Sequence, residues 1–180
     1  IQALRTTADI SPTDGTTLVR ISRGGLIING NSGATITAPL LFGTGTGANL
    51  TEAIVYGREN QTAVSSLNGG VTARDFTKTG PGVIALGGTA NFLHSNAVRL
   101  PVLSVQDGTL RFSSLASNFQ NQLRGTTLGD YIGHYALNVN ETGVLDLNGL
   151  NLPVGALTGN GTVLSTVAGN ATLTVKNGFA

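Results

Sequence analysis

Lys78-Thr79-Gly80-Pro81-Gly82-Val83-Ile84-Ala85-Leu86-Gly87-Gly88 decides how the rest of the chain is read. A Gly-Pro-Gly turn opens onto four apolar residues, and two glycines close them off. Proline presets the backbone for a turn, and glycine adopts conformations closed to other residues. The strand framed this way is too short to bury a core of its own. Stacked on neighbours of the same kind, it adds to a continuous core and a continuous hydrogen-bond ladder.

Such neighbours follow along the chain. Gly108-Thr109-Leu110-Arg111-Phe112, Gly143-Val144-Leu145-Asp146-Leu147 and Gly161-Thr162-Val163-Leu164 repeat the form glycine, any residue, apolar, any residue, apolar. Asn170-Ala171-Thr172-Leu173-Thr174-Val175 is a near relative. The successive glycines stand about 26, 35 and 18 residues apart, a loose spacing in the range of solenoid repeats. Alternation with period two places one set of side chains on one face. It predicts Ile84/Leu86, Leu110/Phe112, Leu145/Leu147 and Leu173/Val175 inward, with Arg111 and Asp146 toward solvent. No stretch sustains helical apolar spacing, and Ser114 to Leu123 is the best candidate for a short helix.

The expected fold is therefore all-β, a right-handed parallel β-helix (β-solenoid). The alternative is an antiparallel β-sandwich, which usually shows longer strands and more aromatic residues than the 5% here. The first half carries further strand candidates: Thr17 to Ser22, Gly25 to Gly30, Gly33 to Thr37 and Glu52 to Tyr56. Residues 1–16 lack the repeat and read as an N-terminal arm, a cap or the end of a preceding coil. Residues 17–180 read as one β-solenoid domain. Loop insertions are expected near 89–103 and 113–135, and such loops often carry specificity.

Composition narrows the class. The 180 residues include 26 Gly and no Cys, Met or Trp, and charged residues make up only 11%. Low charge with a slightly positive mean hydropathy argues against a disordered chain. Without Met, the sequence is expected to be a processed chain or a segment of a longer one. Any export signal is expected to have been removed or to lie outside it, because no basic stretch leads into an apolar one at the start. No window approaches the ~18 apolar residues of a membrane-spanning helix. The net charge is +1 with the basic residues scattered, so no nucleic-acid or anionic-lipid stripe is expected.

Candidate chemistry is sparse. The acids are dispersed, with no adjacent pair for two-carboxylate catalysis. Stacking could bring Asp107 and Asp146 together, but Asp107 reads as a turn residue before glycine and Asp146 as an outward strand position. Asp130-Tyr131-Ile132-Gly133-His134-Tyr135 could form a sugar-stacking or acid-base loop, weighed against tyrosines packing over the stack. No nucleophile motif accompanies it. His94 stands alone in a loop. With no Cys and two distant His, no metal site is expected, and the calcium-binding nonapeptide is absent. Gly43-Thr44-Gly45-Thr46-Gly47 lacks GK[ST] and a following helix, so it reads as a turn rather than a phosphate loop. Asn49, Asn60, Asn140, Asn160 and Asn170 each begin an N-x-[ST] triplet, common by chance in an Asn- and Thr-rich chain. No catalytic, cofactor-binding or metal residues are assigned, and no cofactor is expected.

Asp75 to Gly88, reading DFTKTGPGVIALGG, resembles the autotransporter-associated β-strand repeat. Val105-Gln106-Asp107-Gly108-Thr109-Leu110-Arg111-Phe112 is similar to the second half of that unit. Gly143 to Asn151 and Val154 to Val163 are similar to its GTLDLNG and VGSLSGSGTV segments. The resemblance covers roughly residues 18–178. Asn91 to Pro101 replaces the family's usual link, and no C-terminal membrane barrel lies in the sequence. The resemblance implies a large bacterial surface or secreted protein with a β-helical passenger region.

Together these readings predict a non-enzymatic extracellular or cell-surface structural protein. It would be a fibre, a stalk or a self-assembling filament subunit, with adhesion to a cell-surface or glycan ligand as an added expectation. Self-association is expected through the end coils or the N-terminal arm. The alternative is a carbohydrate-binding or polysaccharide-cleaving β-helix built on Tyr131, His134 and Tyr135.

Overall fold

The computed structural model describes residues 1–15, 17–23, 25–58, 63–88, 90–92, 101–113 and 135–175. Seventeen short or medium strands make up the described chain. In order they are β1 (Leu4–Thr6), β2 (Val19–Ile21), β3 (Gly25–Ile28), β4 (Thr35–Ile36), β5 (Leu40–Phe42) and β6 (Ala53–Gly57). Then come β7 (Ser65–Leu67), β8 (Val71–Ala73), β9 (Phe76–Thr79), β10 (Val83–Leu86) and β11 (Ala90–Phe92). The last are β12 (Val102–Phe112), β13 (Ala136–Asp146), β14 (Leu152–Val154), β15 (Ala156–Gly159), β16 (Thr162–Leu164) and β17 (Leu173–Val175). The only helical segment among the described residues is a 3-10 turn at Gly47–Asn49.

Among the described residues every pairing between these strands is parallel. This corrects the sandwich alternative, whose strands pair antiparallel. The pairings form long ladders. In the first, β1, β3, β6, β9, β12, β13 and β15 follow one another, with Leu4, Leu26, Val55, Lys78, Val105, Val139 and Gly159 in one register column. In the second, β4, β7, β10, β12, β13 and β16 follow one another, and Ser65, Ile84, Leu110, Leu145 and Val163 share a column. Both ladders belong to one curled sheet of 11 strands. A third ladder runs β2-β5-β8-β11, and β14 pairs β17 apart from it.

The repeated unit read from the sequence is thus a register column. Ile84, Leu110 and Leu145 lie one over the next and are fully buried. Leu86 and Phe112 pair in the same way and are also buried. Each such side chain contributes about 1.5–3 kcal/mol by leaving water, but only because the strands on either side cover it. The near relative at Asn170 to Val175 departs from this pattern. Its strand β17 pairs with β14 and not with the glycine-led units.

The Gly-Pro-Gly turn separates β9 from β10. In the next two strands the equivalent corner is straightened, so β12 and β13 run for 11 residues each through both ladders. Their register shifts at that point, between Val105 and Asp107. Glycine is required at the corner for two reasons. Gly80 and Gly108 have φ of 76° and 64°, which other residues rarely adopt. A Cβ on Gly80 would also come within 2.5 Å of the Gly57 carbonyl oxygen.

Residues 1–16 join the ladders within the described part. β1 pairs β3, and Ile10 bridges Ile36. Of the two expected loop insertions, Ala90–Phe92, Val102–Leu103 and Tyr135 belong to strands or the core. Most of the rest, with the short helix expected at Ser114 to Leu123, lies outside the described residues.

Candidate functional site

Four places in the molecule could do more than fill the core. The first is the corner at Lys78. Phe76 and Lys78 alternate with Thr77 and Thr79, so the pleat turns both Phe76 and Lys78 inward. Lys78 is fully buried in a column it shares with Val55, Val105 and Val139. Its Nζ donates to the Gly80 carbonyl oxygen and, at 2.7 Å, to that of Asp107. Burial lowers the amine's pKa to about 8, opposed in part by the charge of Asp107. The ammonium thus ties the turn after β9 to the next strand across the corner. The signal for this was present in the sequence as the Phe-Thr-Lys-Thr alternation, but a lysine at an inward position reads as solvated unless its partners are known.

The second place is Asp146. The sequence predicted it in solvent, and the structure corrects this: Asp146 has no exposure. Arg111 Nε donates to it at 2.7 Å. Thr166 donates through its backbone N–H at 3.0 Å and its Oγ1 at 2.7 Å, and the Asn148 N–H donates at 2.9 Å. The segment after β16 closes over the carboxylate, and strand alternation cannot reveal such a cover. Burial alone would raise the pKa of Asp146. The hydrogen bonds from Thr166, Arg111 and Asn148 outweigh it and hold the pKa below the ordinary value. Arg111, predicted outward, is half-buried against this carboxylate.

Asp107, read from the sequence as a turn residue, lies within the long strand β12, where its Oδ1 accepts from the Gly108 N–H at 2.9 Å. In the ladder Asp107 faces Thr142 and Asp146 faces Arg111. The two acids are four positions apart, about 13 Å at 3.3 Å per residue, beyond the roughly 5–9.5 Å of a glycosidase pair. Tyr135 is 1% exposed and part of the core, and burial holds its hydroxyl pKa well above the usual value. A ring so covered offers no stacking face to a sugar. Tyr131, His134 and His94 lie outside the described residues. Gly43 to Gly47 leads into the 3-10 turn with Gly43 bridged to Leu50, and no α-helix follows, so the context of a phosphate loop is missing. Among the described residues no three His, Cys, Asp or Glu gather as a metal site would need. No described helix is long and apolar enough to cross a membrane.

The third place is the outer side of the first ladder. Ile27, Ile54 and Tyr56 are exposed there on adjacent strands, with Ile27 opposite Tyr56. Farther along the same side the positions turn polar, with Thr77, Ser104, Asn138 and Thr158 in one column and Ser104 buried.

The fourth place is the two ends of the stack. The hydrophobic residues only partly buried against the core are Leu4, Ile10, Val19, Leu150, Val163, Ala171 and Leu173. Leu4, Ile10 and Val19 lie at one end, and Leu150, Val163, Ala171 and Leu173 at the other. Leu157 shares a column with the fully buried Leu103 and Leu137, yet is 43% exposed. Val175 faces the fully buried Val154, yet is 47% exposed. Among the described residues, β15, β16 and β17 each pair along one edge only. The inward columns therefore run out uncovered at these strands.

Comparison of the chain with family models, with curated proteins and with solved structures finds no match.

Proposed function

We propose that the ladders are the faces of a right-handed parallel β-helix, and that the protein is a structural element of a cell surface or extracellular fibre. Its work is mechanical, as a stalk or a filament subunit with an adhesive role, and involves no catalysis. The observation that carries this reading is the in-register stacking of the glycine-led units, Val83 to Leu86 on Thr109 to Phe112, and Thr109 to Arg111 on Val144 to Asp146. Units that bury nothing alone and everything together suit a body extended along one axis. The similarity of Lys78 to Gly88 and Gly143 to Asn151 to the autotransporter-associated repeat supports the same reading and a bacterial surface location.

Small-angle X-ray scattering of the purified protein tests the shape. Seven successive positions in the first ladder, at 4.7–4.9 Å each, predict an extent of roughly 30 Å along the ladder. A flattened two-sheet particle would remove the β-helix, and turnover of a polysaccharide by the purified protein would remove the non-catalytic role.

A further inference from the structure

We propose that the outer face of the first ladder around Tyr56 binds a neutral glycan, a chain of uncharged sugar rings. The inference rests on the adhesive role proposed above and names its ligand.

Three observations carry it. The first is the ring. Phe42, Phe76, Phe112 and Tyr135 are buried, whereas Tyr56, within the ladder on β6, is 36% exposed. A Cβ added at Gly80 would come within 2.6 Å of Tyr56 Cε2 and 2.7 Å of its Cδ2, so the ring is seated against the bare backbone of the Gly-Pro-Gly turn. A ring held on that side and still exposed to water is an apolar platform for the C–H groups of a sugar ring. The second is its neighbours. One position beyond the column of Val55, Lys78, Val105 and Val139 stand Tyr56, Thr79, Gln106 and Asn140, on four successive strands. Asn140 Nδ2 donates to Gln106 Oε1, and Gln106 Nε2 donates to Ser104 Oγ. Thr77, beside Ile54, donates to Glu52 Oε1. Amide and hydroxyl groups are thus held in place across the strands before a ligand arrives, which lowers the ordering cost of binding. They both donate and accept hydrogen bonds, as sugar hydroxyls do.

The third is size and charge. The exposed apolar side chains here are Ile27, Ile54 and Tyr56, which fall well short of the ~800 Å² per partner of a stable protein interface. A few sugar rings need far less. The row Tyr56, Thr79, Gln106 and Asn140 carries no charge. Arg58, two residues beyond Tyr56, directs its guanidinium to Asn31 Oδ1 and the Asn29 carbonyl oxygen, and Arg5 lies two strands away, opposite Ile27. An uncharged ligand suits this row. The outward column of the second ladder offers no such face, because Arg111 and Asp146 pair with each other and Ala85 is 2% exposed.

Affinity electrophoresis of the purified protein tests the proposal, in native gels containing soluble xyloglucan, mixed-linkage β-glucan or galactomannan. Polygalacturonate serves as the anionic comparison. At least one neutral glycan is expected to retard the chain, and polygalacturonate is not. Tyr56→Ala should weaken that binding at least about tenfold, and Tyr56→Phe by less than about threefold, because Phe keeps the ring. Thr79→Val keeps the shape, removes one hydroxyl and should weaken binding several-fold. Thermal unfolding of each variant checks that it is folded, and Thr79→Val reads the same face should Tyr56→Ala fail to fold. No retardation by any of the three neutral glycans would overturn the proposal. So would retardation by polygalacturonate alone, or neutral binding that Tyr56→Ala and Thr79→Val leave unchanged. Two further readouts separate the levels. Scattering that matches the ladder, with no glycan bound, removes this proposal and leaves the β-helix standing. Release of new reducing ends from a bound glycan removes the non-catalytic role and leaves the ligand standing.

Discussion

Leu137 and Leu157 stand in one column, on adjacent strands of one ladder, with the same side chain turned the same way. Leu137 is sealed from water and Leu157 is 43% exposed. Val154 and Val175 repeat the contrast on another face. The difference teaches that burial in this molecule belongs to the stack and not to the strand. Alternation within a strand chooses the inward face, and the next strand decides whether that face is dry.

The strongest way to break this comparison is to truncate in the middle and at the end. Phe112→Ala, in the centre of the second ladder, should cost about 3–5 kcal/mol in chemical denaturation, because its neighbours in the ladder cannot close the space. Leu110→Ala should cost about 2–5 kcal/mol for the same reason. If Leu157→Ala proved as costly as either, the exposed end would have to be covered in solution, and the contrast would fail.

Lys78 sharpens the comparison from inside the core. Its amine titrates near 8 when folded, against about 10.5 when the chain is unfolded. Between those values the unfolded chain binds more protons, so stability should rise as pH climbs from about 8 to 10.5 and stay flat in this respect below 8. The full rise is roughly 3 kcal/mol at most, from 1.36 kcal/mol per pKa unit. The buried Tyr135 hydroxyl acts in the opposite direction at the alkaline end, so the quantity to measure is the difference between wild type and Lys78→Met. That difference should grow across pH 8–10.5, and a constant offset would show that the amine reaches water.

Much of the architecture was legible because glycine spacing and period-two alternation are local. The columns Ile84–Leu110–Leu145 and Leu86–Phe112 follow directly from Gly82, Gly108 and Gly143. What escaped depends on contacts distant in sequence. Lys78 has an inward position in an aliphatic column, and nothing in KTGPG announces the Asp107 carbonyl oxygen that receives its amine. Asp146 has an outward position, yet Thr166 returns to cover it. β17 carries the alternation of the repeat but pairs in a separate ladder, because register is chosen by the neighbouring strand. Leu157 and Val175 fit the motif, yet their exposure could not be read from it, because it depends on the neighbouring strand.

Asp146 tests the boundary between the two regions. It joins β12, through Arg111, to the segment after β16, through Thr166. Asp146→Ala should cost about 2–3 kcal/mol, since it leaves Arg111 and the backbone donors without their acceptor. Its effect on hydrogen exchange should fall mainly on residues 162–167. The pH dependence has a definite sign. The folded pKa lies below the unfolded value, so this stabilisation is present above about 3.8 and is lost as pH falls through the folded pKa. The acid limb of the stability curve should therefore flatten in the variant. Equal loss of protection throughout the chain would show that the last strands are not a separate unit.

The smallest effect is expected at the end itself. Leu157→Ala removes a side chain that already meets water over much of its surface, so only the remaining covered area is lost. The cost should be under about 1 kcal/mol, several times less than for Leu110→Ala, although the residue type and strand setting are the same. The measurement belongs at low protein concentration, where association cannot lend the end a cover. A penalty as large as that of Leu110→Ala would show that Leu157 is covered in solution.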